Sequence, residues 1–252
     1  MAEITAAGRG ATIGRWRNGG LLAAAAALAL GGCNFLHRPT VEEQADKIAT
    51  IKVLHQYYPE QYQQVIAMLK ATPAPSGATA QASVEDRVRP VITSLMARQA
   101  PKMNDENTLA LFQLTVDEAQ TMRQKSPEQC GKNLTGGGQF GVTAESVMTK
   151  DEIERDAALS AKILEQTATA PAPPPPPMDQ AASTALVRQS ISRLPQATQD
   201  NLIPMLRAGG HPSGALQEAA MCDYTISLIQ LMLAQPKDKA APMLRNMAAM
   251  GG

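Results

Sequence analysis

The sequence predicts an all-α protein, an irregular multi-helix bundle in two halves joined by a polyproline connector and one disulfide. Three observations predict it. From Thr40 onward, apolar residues recur at spacings of three and four, the period of a helix with one buried face. The alternation of β-branched residues expected of strands is absent. The run PAPPPPP at 171–177 separates two such helical stretches, and a chain of consecutive prolines can only extend as polyproline II, about 3.1 Å per residue and roughly 20 Å in all. The expected layout is a leader over 1–32, a short tether over 33–40 and a single helical domain over 41–252. Within that domain the halves are 41–168 and 178–250, and the connector is 169–177.

Thr40 can cap a first helix that turns Ile48, Ile51 and Leu54 to one side. Pro59 suits the first position of a second helix, with Tyr62, Val65 or Ile66, and Leu69 inward. Residues 72–80 hold two Pro and a Gly and read as a loop. Ser83 then begins a helix with the stripe Val84, Val88, Val91 and Leu95, in which Pro90 predicts a kink or break. Asn104 or Asp105 opens the next, with Leu109, Phe112, Val116, Ala119 and Met122 along one side. After Cys130 the segment GKNLTGGGQFG reads as non-helical because of its glycines. Helix resumes near Thr143 or Lys150 and runs to about Thr167, burying Ile153, Ala157 and Leu164. Beyond the connector come helices near 179–193, 198–207, 214–235 and 237–249. Ile226–Ala234 carries only Ser227 and Gln230 as polar residues and should be the central buried segment. The tripeptide PEQ at Pro59 and Pro127 marks helix starts rather than a repeat.

The first thirty-two residues read as an address. Arg9, Arg15 and Arg17 against one acid, Glu3, precede the apolar run LLAAAAALAL and then small residues, the order of a secretory signal. Leu30-Gly31-Gly32-Cys33 resembles the lipobox of bacterial lipoproteins. The resemblance covers the targeting segment alone. It implies that the Cys33 thiol receives a diacylglyceryl group, that cleavage before it makes Cys33 the first mature residue, and that the freed amine takes an acyl chain such as palmitate. Two or three chains at about 0.8 kcal/mol per buried methylene hold a protein on a membrane durably. Asn34 stands where an Asp favours inner-membrane retention in the Gram-negative family, which leans the expected location towards the outer membrane, facing the periplasm. Asn34–Thr40 would span at most about 23 Å, so the domain would work close to the bilayer.

Export places the mature chain where disulfides persist, and Cys130 and Cys222 are the only pair left once Cys33 is acylated. They are expected to bond. The chain-entropy model values closure of so long a loop at roughly 4.6 kcal/mol.

A formal charge of +0 from 23 basic and 23 acidic residues offers no surplus of cations for nucleic acid. His37, His55 and His211 are too far apart in sequence to act as ligands on one helix, and no HExxH, ExxH or GxSxG pattern occurs. Ser213 beside His211 reads as a helix cap rather than a nucleophile. Asp151, Glu152, Glu154 and Asp156 form the densest acidic cluster, and Glu152 and Asp156 share a face. Solvated acids at a helix start, stabilised by the macrodipole, account for it. Met243, Met247 and Met250 share a face of the last helix, which suggests either a packing seam or a soft copper(I) site. The expectation is a non-catalytic interaction or scaffold module of the cell envelope, held by a lipid at Cys33, with an envelope protein as partner and with no catalytic residues, metal or cofactor assigned. The rival classes are an enzyme acting on cell-wall or lipid material and a Met-based copper binder.

Overall fold

The computed structural model describes residues 40–71, 80–135 and 149–250. The leader, Cys33 and most of the tether, the loop after residue 71 and the glycine-rich stretch beyond residue 135 lie outside the described residues. Among the described residues there are eleven α-helices, one 3-10 turn and no strand, which is the all-α class the spacing predicts.

The N-terminal core begins with α1 (Val41–Ala45), α2 (Ala49–Tyr57) and α3 (Pro59–Ala71). Thr40 and Glu43 form a complete capping box, each side chain bonding the other's backbone N–H. One helix was expected from this cap, and two are found. The chain turns at Asp46–Ile48, where Ile48 is extended and buried, and the turn lets Ile48 and the fully buried Ile51 and Leu54 enter the same core. Pro59 starts α3 as its fixed φ predicts, and Tyr62, Val65, Ile66 and Leu69 all point inward. Full burial of residues such as Ile51 and Val65 contributes about 1.5–3 kcal/mol each.

Helix α4 (Ala80–Gln99) starts three residues before Ser83 and runs through Pro90 without a break. Pro90 is exposed, so water can serve the carbonyl that loses its helical partner. A 3-10 turn, Ala100–Lys102, leads to α5 (Asp105–Lys125), capped by Asn104. Then comes α6 (Pro127–Leu134), opened by the second PEQ and capped by Ser126. The sequence placed Gly131 in a non-helical stretch, but α6 continues through it to Leu134. The glycine serves contact rather than termination. A Cβ at residue 131 would lie 1.9 Å from the Glu218 carbonyl oxygen, so only Gly lets the backbones of these two helices meet.

Helix α7 (Lys150–Thr169) has a second complete capping box, Thr149 with Glu152. It buries Ile163 and Leu164, whereas Ile153 and Ala157 are only half-buried. Side-chain bonds tie it to the N-terminal core: the Thr50 hydroxyl donates to the Ala157 carbonyl at 3.1 Å, the Tyr58 hydroxyl to that of Leu164 at 2.9 Å, and the Tyr58 and Thr167 hydroxyls are 3.0 Å apart. After the connector come α8 (Gln180–Ser192), α9 (Gln196–Arg207), α10 (Ala215–Leu233) and α11 (Lys237–Met250). Gly209 and Gly210, at φ +109° and +80°, end α9, and the Gly210 N–H returns to the Met205 carbonyl. Ser213 is not the cap of α10. Gly214 holds that position, and Ser213 bonds the Gln217 side chain through its N–H and hydroxyl.

The described residues form one compact unit, and its cores do not follow the two halves of the sequence. Phe112, Val116, Ala119 and Met122 of α5 and Cys130 of α6 share a core with Leu186, Leu244 and the buried face of α10, Ile226, Leu228, Ile229, Leu231 and Met232. Two early helices therefore belong with the late ones. The disulfide joins Cys130 to Cys222 with their Cα atoms 5.5 Å apart. It lies inside this shared core and fastens α6 to α10.

Candidate functional site

Two features could meet another molecule: a pocket between α4, α5 and α7, and the proline connector. The pocket has a volume of about 220 Å³ and counts Ile48 and Thr50 among its lining residues. Val88, Ile92 and Met96 of α4, Leu111 of α5 and Ile153 and Ala157 of α7 give it aliphatic walls. Arg89, Thr93, Asp156 and Ser160 supply its polar edge.

The acidic cluster divides here. Asp151 and Glu154 are exposed. Glu152 bonds the Thr149 backbone N–H at 2.6 Å and also receives the Thr121 hydroxyl, and these bonds hold its carboxyl below the usual range. Asp156 does not stay solvated as expected. Burial raises its carboxyl, against the opposing charge of Arg89. Glu118 of α5 joins it from across the helix pair. Burial first, then the charges of Asp156 and Glu152, push Glu118 up from an ordinary 4.5 to about 8, while Arg89 and Arg155 oppose the rise. Its Oε1 is buried without a hydrogen-bond partner.

Sequence reasoning missed Glu118. The signal was its spacing: Leu111, Thr115, Glu118 and Met122 recur at four, three and four, which puts a carboxyl on the same face as Leu111 and Met122.

The connector is fastened rather than loose. The Ala172 N–H donates to the Lys102 carbonyl at 2.8 Å, Arg245 Nη1 to that of Pro173 at 2.9 Å and Asn246 Nδ2 to that of Pro176 at 2.8 Å. Arg245 is buried and also faces Asp105 at 3.3 Å. It too was missed, although it stands four residues from Ala241 and three from Ala248 on the inward face of α11. Pro171, Pro173, Pro174, Pro176 and Pro177 remain exposed. Beside the strap is a groove of about 640 Å³ lined by Tyr57, Tyr58, Pro101 and Lys102.

The remaining candidates are scattered. His55 stacks on Tyr62, ring centroids 4.0 Å apart, and its Nδ1 is 3.0 Å from Asp46 Oδ2. His211 is exposed in the turn before α10. No histidine lines either pocket. Met243 and Met247 pack against the shared core, and the Met250 side chain lies outside the described residues. Among the described residues no three His, Cys, Asp or Glu are grouped to hold a metal ion, and no helix is long and apolar enough to cross a membrane. Set against protein-family models, curated proteins and solved structures, the chain matches none of them.

Proposed function

We propose that this chain is a lipoprotein of the bacterial envelope, anchored through Cys33 and facing the periplasm from the outer membrane. It serves as a non-catalytic interaction module whose binding element is the proline strap. The anchoring part rests on Leu30-Gly31-Gly32-Cys33 after the apolar run. The observation that carries the interaction part is the strap, tied to the body at Ala172, Pro173 and Pro176 with five prolines exposed. An extended proline segment is recognised by aromatic-lined grooves, and one already fixed loses little conformational freedom on binding.

Mass spectrometry of the membrane-extracted protein tests the anchor. A chain that starts at Cys33 and carries acyl mass is expected, and an unprocessed leader would exclude it. A photo-crosslinker placed at Pro174 in intact cells tests the strap. One reproducible envelope partner is expected, lost when Pro173, Pro176 and Pro177 become Ala while the crosslinker stays at 174; an adduct that survives those changes, or none at all, would overturn the reading.

A further inference from the structure

We propose that the pocket between α4, α5 and α7 binds a small neutral aliphatic alcohol, its hydroxyl seated between Asp156 and Ser160. The volume of about 220 Å³ exceeds the roughly 150 Å³ cavity that takes up benzene, so a chain of about nine heavy atoms fills it. Branched aliphatic side chains and the Met96 thioether form the walls, with no aromatic ring among the described lining residues. Such walls hold a flexible alkyl chain by burial and give a flat ring nothing to stack on.

The head group follows from the part of the lining whose hydrogen-bonding capacity is unspent. Asp156 and Ser160 both line the pocket from α7, one helical turn apart, which places their Cβ atoms about 5–6 Å from each other on one face. A single hydroxyl oxygen bonded to each at about 2.8 Å bridges that gap. Ser160 is only 8% exposed, yet its hydroxyl does not return to the carbonyl one turn back as those of Thr108, Thr115 and Thr169 do. Among the described residues neither Ser160 nor the Asp156 carboxyl has a hydrogen-bond partner. The Thr50 hydroxyl, by contrast, is committed to the Ala157 carbonyl. An alcohol donates to the carboxylate and accepts from the serine at once, whereas an ether only accepts. Charge disfavours the ionic relatives. Arg89 is the one cation and Asp156 the one anion among the described lining residues, and Arg89 is not without a partner of its own. A carboxylate or an ammonium would therefore bring an unbalanced charge into a largely apolar cavity, at a desolvation cost that an alcohol avoids.

Titration calorimetry of the full chain at pH 8 with 1-hexanol, hexanoate, hexylammonium and pentyl methyl ether tests head group and charge together, since the four probes differ little in size. Saturable binding of 1-hexanol is expected, with each of the other three on the order of tenfold weaker. The advantage of the alcohol over the ether should shrink about threefold or more in Asp156→Ala and in Ser160→Ala, a preference that a merely structural role would not move. Lengthening the alcohol should tighten binding about fourfold per methylene and cease to do so near about eight carbons, where the cavity is full. Ile92→Trp, which fills the pocket, should abolish binding, and Ala157→Leu replaces it if that variant does not fold. Hexanoate or hexylammonium binding as tightly as 1-hexanol would overturn the proposal. So would an ether equal to the alcohol, gains that continue unabated through 1-decanol, the absence of saturable binding, or an affinity unchanged in the filled pocket.

Discussion

Replacing Glu118 with Gln isolates the free energy stored in one buried carboxyl. A tenfold change in a proton equilibrium is about 1.4 kcal/mol, so a rise from 4.5 to about 8 means that holding Glu118 ionised in the fold costs roughly 5 kcal/mol relative to the unfolded chain. The sign follows from where the proton resides. Below about pH 4.5 both states keep it and Glu118 adds no pH dependence. Between about pH 4.5 and about pH 8 the unfolded chain ionises while the fold retains the proton, so stability falls as pH rises. Above about pH 8 both are ionised and the loss is complete. Gln keeps the shape and cannot ionise. Its advantage over the wild type should thus be near zero below about pH 4 and grow to about 2–5 kcal/mol by about pH 9, a gain of roughly 5–15 °C in melting temperature for a domain of this size. Asp156 and Glu218, also raised by burial, contribute with the same sign to both proteins. The carboxyls of Glu42, Glu106 and Glu152, held low by their partners, act only at more acid pH. Urea titrations of both proteins across this range give the difference curve directly. A difference that does not change with pH would show that Glu118 is already ionised in the fold, and the account of the pocket's charge would fail with it.

Gly131→Ala should destabilise by about 3 kcal/mol or more, since the added methyl meets backbone rather than a movable side chain; urea denaturation that leaves the midpoint unchanged would mean that α6 and α10 can separate at no cost. Cys222→Ser, or reduction, should remove about 2–5 kcal/mol in the same assay while the far-ultraviolet helix signal persists under native conditions. Arg245→Met removes the donor to Pro173 and leaves the helix face apolar, so hydrogen exchange at the Ala172 N–H should quicken about tenfold or more while the amides of α10 keep their protection. Thr149→Ala breaks the capping box of α7 at a cost of about 1 kcal/mol.

Local chemistry was legible where a residue type has one strong use. Thr40, Asn104, and the two prolines of the PEQ segments each mark a helix start, and each does so in the structure. Cys130 and Cys222 were paired by elimination, which needs no geometry. Gly131 shows where this reasoning stops. A glycine reads as a helix breaker from its own propensity, but its use here is set by Glu218, eighty-seven positions further along the chain. Glu118 and Arg245 were obscured for a related reason: a charge on the inward face of a helix tells that something unusual is buried, while its partners, Asp156 for one and the Pro173 carbonyl for the other, come from distant parts of the chain. The sorting of α5 and α6 with the late helices is of the same kind, since an apolar stripe records that a face is covered and not by what.

The strap lies within the loop that Cys130 and Cys222 close. A protease that cuts among its exposed prolines would leave the two fragments covalently joined, and they would run as a single band until a thiol reagent is added. Damage at this exposed stretch would therefore not shed the C-terminal helices, and the nicked protein would stay whole for as long as its two sulfurs remain joined.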